Sequence, residues 1–564
     1  VIALALACGS PAPPPREPPS PGGLEAHCDA AVGEARVLEP APGLFVAVGY
    51  DLANTLVLQG TDGRVVVDPG MSPARAERAK AALDAVTSGP VRAVIYTHSH
   101  IDHVGAADVW VEPGSQVWAT DRWSEGFFHQ YGTLLPSEAS RGLRQFAAGV
   151  GEDELPCAAI GARAELGARI GVVAPTHTFG EEAALEVAGL SLRLLAVPGE
   201  TDDHLAVIWP AREAVMPGDD WYAAFPNLYT IRGTRPRPVD RWIQSLDALR
   251  ALDAAVLVPS HTVPVVGRDA VRDALVAHRD AIQAVRDAVV RGVNQGVRRD
   301  ALVESVALPP ELAGLPALQE RYGRVDWSAR AIADNTVGWF DGRAAALEPL
   351  PAAEVARRSV ELMGGGDAVR AAAATAADPR WALHLLGLLE DAGERGLNEL
   401  IAEKYEVLAR AEGNANARGY LLVAARERRA GASEGLPRPV LSDDFVEGLP
   451  LPMLFAVLAS RLRPEDAAGV HESLRFELDG DVFVVTIRHR VAEVVHGEPL
   501  PGTPPPVATL RTDARTWRRL SLELDGAAGA LADGRLAIDG DPVALWRFLG
   551  RFDRGLAPPP STLP

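Results

Sequence analysis

The chain has 564 residues, too many for one ordinary domain, and its 47% hydrophobic and 23% charged residues are those of a globular protein. A formal net charge of -20 argues against a nucleic-acid partner, which would need a basic surface. Three cysteines (Cys8, Cys28 and Cys157) are too few and too scattered for a zinc ribbon or a disulfide scaffold.

Residues 1–7 are apolar, and Ala5-Leu6-Ala7 leads into Cys8-Gly9. A short apolar run that ends in small residues before a cysteine reads as a bacterial lipoprotein signal. A proline-rich stretch over 11–23 then reads as an extended tether. The expectation is an exported protein, periplasmic or held at a membrane by a lipid anchor, with residues 1–24 as signal and tether. No later stretch is long and apolar enough to span a bilayer. Cys28 and Cys157 suit a disulfide in an oxidising compartment or free buried thiols; both readings stay open.

From residue 34 the pattern turns strand-like: 44–48, 55–58 and 65–67, the last running into Asp68-Pro69-Gly70. A helix is predicted over 72–86 from its periodicity and serine start. Strands and helices then alternate to about residue 265, an α/β sandwich pattern in which strand-end loops carry function. The apolar strand 91–96 ends in Thr97-His98-Ser99-His100-Ile101-Asp102-His103. In an extended chain His98 and His100 point the same way, and Asp102 and His103 follow in the turn. Neutral imidazoles with a carboxylate suit zinc or a similar borderline cation.

Past residue 268 the chain becomes alanine-rich and helical, over 269–293 and again over 351–427. Stretches such as 368–377, 380–392 and 394–411 suit paired, stacked helices. A Gly, Pro and Ser-rich break covers 430–439. Beyond it a helix is predicted over 441–462, two strands over 473–494 joined at Asp479-Gly480-Asp481, a helix over 512–522, a short strand region over 530–540 and a closing helix over 541–552. The boundaries drawn from this pattern are an α/β domain over 25–268, an all-α domain over 269–430 and a small α+β domain over 440–556.

The Thr97–His103 segment resembles the metallo-β-lactamase superfamily motif, which implies an αββα sandwich with one or two metals between its sheets. Asn227-Leu228-Tyr229-Thr230-Ile231-Arg232-Gly233, Gly338-Trp339-Phe340-Asp341-Gly342, and the stretch from Pro349-Leu350-Pro351 to Met363-Gly364-Gly365 are similar to segments of the alkyl sulfatase branch, as is Tyr131-Gly132-Thr133-Leu134-Leu135-Pro136. That branch joins the sandwich to a helical dimerisation domain and a sterol-carrier-protein-like domain, so a homodimer is implied. The resemblance assigns His98 and His100 to a first metal, and Asp102 and His103 to a second. It also supplies Glu200 (in Pro198-Gly199-Glu200-Thr201), Asp219 (in Met216-Pro217-Gly218-Asp219-Asp220) and His261 (in Val258-Pro259-Ser260-His261-Thr262). Asp219 takes the place of a bridging carboxylate, where alkyl sulfatases usually have glutamate. Two divalent ions are implied, with zinc expected, and a water activated between them. Asp219 and Asp102 are the expected catalytic carboxylates.

The implied substrate is a small anionic alkyl ester, a sulfate ester first of all. A sulfate ester needs fixed donors, and Arg232 can grip two oxygens in a fork, with Asn227 and Tyr131 adding neutral hydrogen bonds. His204 is read as a residue behind the ligands, with direct ligation as the rival, and His177 as a loop histidine. Two departures from the branch stand out. Trp327 occupies the place of a histidine proposed there as general acid, and Arg343-Ala344 replaces an Asn-Pro. They keep open another hydrolase of the same fold, acting on a phosphoester or lactone. A tethered lipid-binding protein with a residual catalytic half is the reading from outside enzymology. In the last domain, Phe483, Val485, Leu545 and Phe548 read as core rather than as a ligand tunnel.

Overall fold

A computed structural model describes residues 22–165, 169–431 and 440–553. Two sheets form the catalytic half. Seven strands run, from edge to edge, Arg36–Ala41, Leu44–Val48, Thr55–Gln59, Arg64–Val67, Val91–Ile95, Gln116–Thr120 and His177–Phe179. Six more run Val265–Val266, Val256–Leu257, Ala214–Met216, Leu205–Trp209, Leu190–Ala196 and Glu182–Val187.

Alternation along each strand builds the layers. Leu56 and Leu58 enter the core between the sheets, with Val65, Val67, Ile95, Leu194, Val207 and Met216. Val57, Val66 and Val94 face the other way, onto Ala79 and Leu83 of the helix Pro73–Asp84. The second sheet turns Val215 and Leu257 onto Trp242 and Leu246 of the helix Val239–Ala251 and Leu275 of Arg268–Asn294. This is the αββα sandwich. Trp242 is fully buried, and truncating such a side chain to alanine costs ~3–5 kcal/mol.

The helical region stacks Ala352–Leu362, Gly366–Thr375, Pro379–Asp391, Asn398–Ala411 and Ala415–Ala430. Val369, Leu385, Leu389 and Ile401 form its own core. The helix predicted from residue 394 starts at Asn398 instead, because Gly396 (φ +73°) turns the chain left-handed just before it. Ala415–Ala430 lies against the helix Leu135–Gln145 of the catalytic half, pinned by Arg144 to Glu427 at 2.7 Å.

The last domain is a five-stranded sheet ordered Val491–His496, Asp481–Arg488, Glu472–Leu478, Pro506–Thr512 and Leu536–Gly540, with helices on one side. The strand Pro506–Thr512 was absent from the sequence pattern, since the run of three prolines over 504–506 that leads into it masks the apolar alternation. The helix predicted over 441–462 is two, Asp443–Gly448 and Leu451–Ser460, because Pro450 cannot donate the hydrogen bond that would join them. Phe483, Val485, Leu545 and Phe548 are fully buried in this domain's core, where Phe455 stacks on Phe483 with ring centroids 4.1 Å apart.

The expected signal and most of the tether, residues 1–21, lie outside the described residues. Residues 22–24 do not extend the tether: they open a helix, Gly22–Ala31, and Leu24 is fully buried. Cys28 on that helix is joined to Cys157 by a disulfide, so neither is a free thiol. No helix among the described residues is long and apolar enough to cross a membrane.

Candidate metal and anion site

Strand Val91–Ile95 delivers Thr97 and His98 to the open end of the sandwich, and a single helical turn, Ile101–Val104, rotates Asp102 and His103 inward. His98 Nε2 and His100 Nδ1 come within 2.8 Å of each other. Glu200 Oε2 is 3.6 Å from both. On the other side His103 Nε2 and His261 Nε2 lie 3.4 and 3.5 Å from Asp102 Oδ2. Asp219 Oδ2 stands between the groups, 3.8 Å from His98 Nε2, 3.4 Å from His103 Nε2 and 3.1 Å from His261 Nε2. Two ligand clusters result, His98, His100, Glu200 and Asp219, and Asp102, His103 and His261, with the ligand atoms of each within 4.8 Å of one another.

These residues fit divalent cations. The atoms that would face an ion, His103 Nε2, Glu200 Oε2 and Asp219 Oδ1, are buried and without a hydrogen-bond partner. Buried polar atoms are otherwise nearly always paired. Burial would lower His261, but Asp219 and Asp102 overcome it and lift it to about 10, and the carboxylates around His103 lift that ring likewise. His98, facing other imidazoles in a dry site, is pushed well down by burial.

The layer behind the ligands was only partly legible. Asp68 accepts from His103 Nδ1 at 2.8 Å, Thr97 N at 2.9 Å, Thr97 Oγ1 at 2.8 Å and Ser260 Oγ at 2.6 Å. It ties the two ligand loops together, and the Asp-Pro-Gly at a strand end was its signal. Asp68→Asn should weaken metal retention by about ten- to a hundredfold, read by titration with a chelator, since it orients a ligand from behind; retention equal to wild type would rule this out. His261 Nδ1 is set by the Leu52 carbonyl at 2.9 Å. His204 is no ligand: its Nε2 accepts from Asp219 N at 3.0 Å and so holds the central carboxylate's backbone. Gly218 (φ +59°) permits that approach, because a Cβ there would sit 2.4 Å from the His204 ring. His177 lies on an edge strand rather than a loop and stacks on Trp118 at 4.8 Å.

The anion-binding candidates line the same chamber. Arg232 is buried, its Nε 2.6 Å from Glu138 Oε1, its Nη1 2.8 Å from Thr230 Oγ1 and its Nη2 3.2 Å from His100 Nε2. With an ion on His100 Nδ1, Nε2 would carry the ring proton and could not accept, which would leave that face of the guanidinium to an anion. Gln145 Oε1 accepts from Arg232 N and Thr230 Oγ1, both at 2.9 Å, and fixes the loop. Asn227 is fully buried with both side-chain amide atoms unpartnered. Tyr131, in a wide helical turn over His129–Thr133, accepts from Ile101 N at 3.0 Å and thus sits beside the ligand turn. Arg237, Glu138 and Gln145 escaped the sequence reading. Arg237 pairs with Glu200 through Nη1, while its Nε and Nη2 are buried without partners. Trp327 stacks under the Arg324 guanidinium at 5.0 Å.

The sandwich and its double ligand cluster define a metallo-β-lactamase-fold hydrolase, and residues 48–261 match the model of the metallo-beta-lactamase superfamily. Residues 299–431 match the alkyl sulfatase dimerisation model, and 439–556 the alkyl sulfatase C-terminal model. A linear primary-alkylsulfatase of Pseudomonas sp. is 32% identical over 530 residues, 89% of this chain and 99% of that protein. An (R)-specific secondary-alkylsulfatase of Pseudomonas sp. is 28% identical, over 92% and 81% of the two chains. The solved structure of the stereoselective inverting sec-alkylsulfatase Pisa1 from Pseudomonas sp. superposes with a TM-score of 0.85 at 25% identity, covering 96% of this chain and 92% of that one. The chain belongs to the alkylsulfatase family.

Proposed function

We propose that this protein hydrolyses alkyl sulfate esters to an alcohol and inorganic sulfate, using two zinc ions. The observation that carries the reading is one chamber holding both ligand clusters around Asp219 together with the buried, donor-rich Arg232 and Asn227. When bound, the two ions would supply Lewis acidity and a water made nucleophilic near neutral pH. His98, His100, Glu200 and Asp219 would hold one, and Asp102, His103, His261 and Asp219 the other. Asp219, between the clusters, would serve both ions and help to orient the attacking water. Arg232 and Asn227 fix the sulfate oxygens, and Tyr131 buttresses the ligand turn and borders the sulfate pocket. Burial strengthens each of these contacts, because fixed donors in a dry site need no reorganisation as charge develops.

The purified protein should contain two ions per chain by elemental analysis and should release sulfate from dodecyl sulfate. Chelation should abolish that activity and restoring zinc should return it. A single ion per chain, or turnover indifferent to chelation, defeats this reading. Trp327 and Arg343 keep one rival alive, a hydrolase of phosphoesters or lactones, and a panel of such esters assayed beside dodecyl sulfate decides between them.

The assembly we propose is a homodimer through the helical region. Trp339 (74% exposed), Leu347, Leu350, Leu362 (89%) and Trp381 all lie bare there in the single chain, large apolar side chains that a partner subunit would cover. We also propose export. The lipoprotein-like start supports it, as does the Cys28–Cys157 disulfide, which persists best in an oxidising compartment.

A further inference from the structure

The helical region contributes one side chain to the chamber that the metal and sulfate readings leave unused. Tyr322 lies just before the helix Val325–Val337 and is 4% exposed. Its backbone is held from two sides. Asn414 Nδ2 and Asn416 Nδ2 donate to its carbonyl at 3.0 and 3.1 Å, and Gly323 N donates to Phe225 O at 3.1 Å. Gly323 permits that approach, since a Cβ there would meet Pro226 O at 2.2 Å. The phenol is thereby set beside the segment that carries Asn227. Its ring packs edge-on to Tyr222 at 5.8 Å, and Tyr222 packs edge-on to the ligand His261 at 6.1 Å.

Burial raises the pKa of the Tyr322 phenol, and the ligands Glu200 and Asp102 and the arginines Arg232 and Arg237 act on it more weakly. Yet the hydroxyl makes no hydrogen bond to any described residue. The other two phenols at the chamber are engaged: Tyr131 accepts from Ile101 N and Gln130 Nε2, and Tyr222 accepts from Asn227 N. A rigidly held phenol, on a side chain packed against Tyr222 beside the ligand His261 and with no protein partner for its hydroxyl, is suited to a ligand atom.

We propose that Tyr322 is a catalytic residue whose hydroxyl donates a hydrogen bond to the ester oxygen joining carbon and sulfur, where negative charge grows as the bond breaks. The donation serves cleavage on either side of that oxygen, since in both cases it leaves with the bonding pair. The helical region therefore completes the catalytic chamber. This inference rests on the alkyl sulfate reading.

The test compares wild-type protein and Tyr322→Phe, both full-length and metal-loaded, on dodecyl sulfate. An oxyanion donor acts in the transition state, so kcat should fall about ten- to a hundredfold while KM stays within about threefold. Metal content should stay at the wild-type value. The melting temperature should hold or rise, because the hydroxyl removed had no partner to lose. Unchanged kcat overturns the proposal. So does a rise in KM alone, or a loss of activity that comes with lost metal or a lower melting temperature. If the wild type ignores dodecyl sulfate but turns over another ester of the panel, the alkyl sulfate reading fails, and the same kcat comparison on that ester decides Tyr322.

Discussion

Asp219→Ala should reduce sulfate release to background and lower the metal content below two ions per chain. Asp219 reaches both clusters: its Oδ2 is 3.1 Å from His261 Nε2, 3.4 Å from His103 Nε2 and 3.8 Å from His98 Nε2, while Oδ1 is buried without a hydrogen-bond partner. Removing it takes a charge from each cation site at once and takes away the group that orients the nucleophile. The two losses fall on the same step, so a drop of about a thousandfold or more is expected, equivalent to some 4 kcal/mol in the barrier. Asp219→Asn keeps the volume and the backbone bond to His204, and separates the loss of charge from the loss of shape. A variant with two ions and near-normal turnover would show that Asp219 does not bridge.

Which parts of this site could be read from residues alone follows a physical line. His98, His100, Asp102 and His103 were legible because they are neighbours in sequence, and local geometry places them: the bend that follows strand Val91–Ile95 carries the first pair and one helical turn swings the second pair in. Glu200, Asp219 and His261 come from separate strand ends, and only the family resemblance could tie them to that motif. Asp68, Glu138, Gln145 and Arg237 carry no local pattern. Their roles arise when distant segments meet, as Glu138 meets Arg232 across 94 positions, and tertiary packing chooses such partners. The same division governs the fold. Sandwich strands announced themselves as short apolar runs, whereas Pro450 and Gly396 altered helix ends by a backbone constraint that periodicity alone does not weigh. Cys28 and Cys157 could be paired or free on sequence grounds, and the helix Gly22–Ala31 settles the matter by carrying one to the other with Cα atoms 5.9 Å apart.

Arg232→Lys should weaken binding of an alkyl sulfate while leaving the metals in place. Arg232 is held by Glu138 through Nε and by Thr230 through Nη1, so its Nη2 edge is fixed toward His100 and the chamber. Lysine keeps the charge but offers a single point of donors on a flexible stem, and cannot hold Glu138 and an anion at the same time. The buried Glu138 carboxylate would then compete with the sulfate for the ammonium. A charge-assisted hydrogen bond is worth about 1.5–3 kcal/mol, so losing one to the substrate should raise KM about ten- to a hundredfold. The metal ligands are untouched, and two ions per chain should remain. Neutral esters supply the control: any that the protein hydrolyses should be turned over equally by both forms, since they bring no anion for the fork to grip. An unchanged KM for dodecyl sulfate would take Arg232 out of the substrate site, and most of the structural case for a sulfate ester with it.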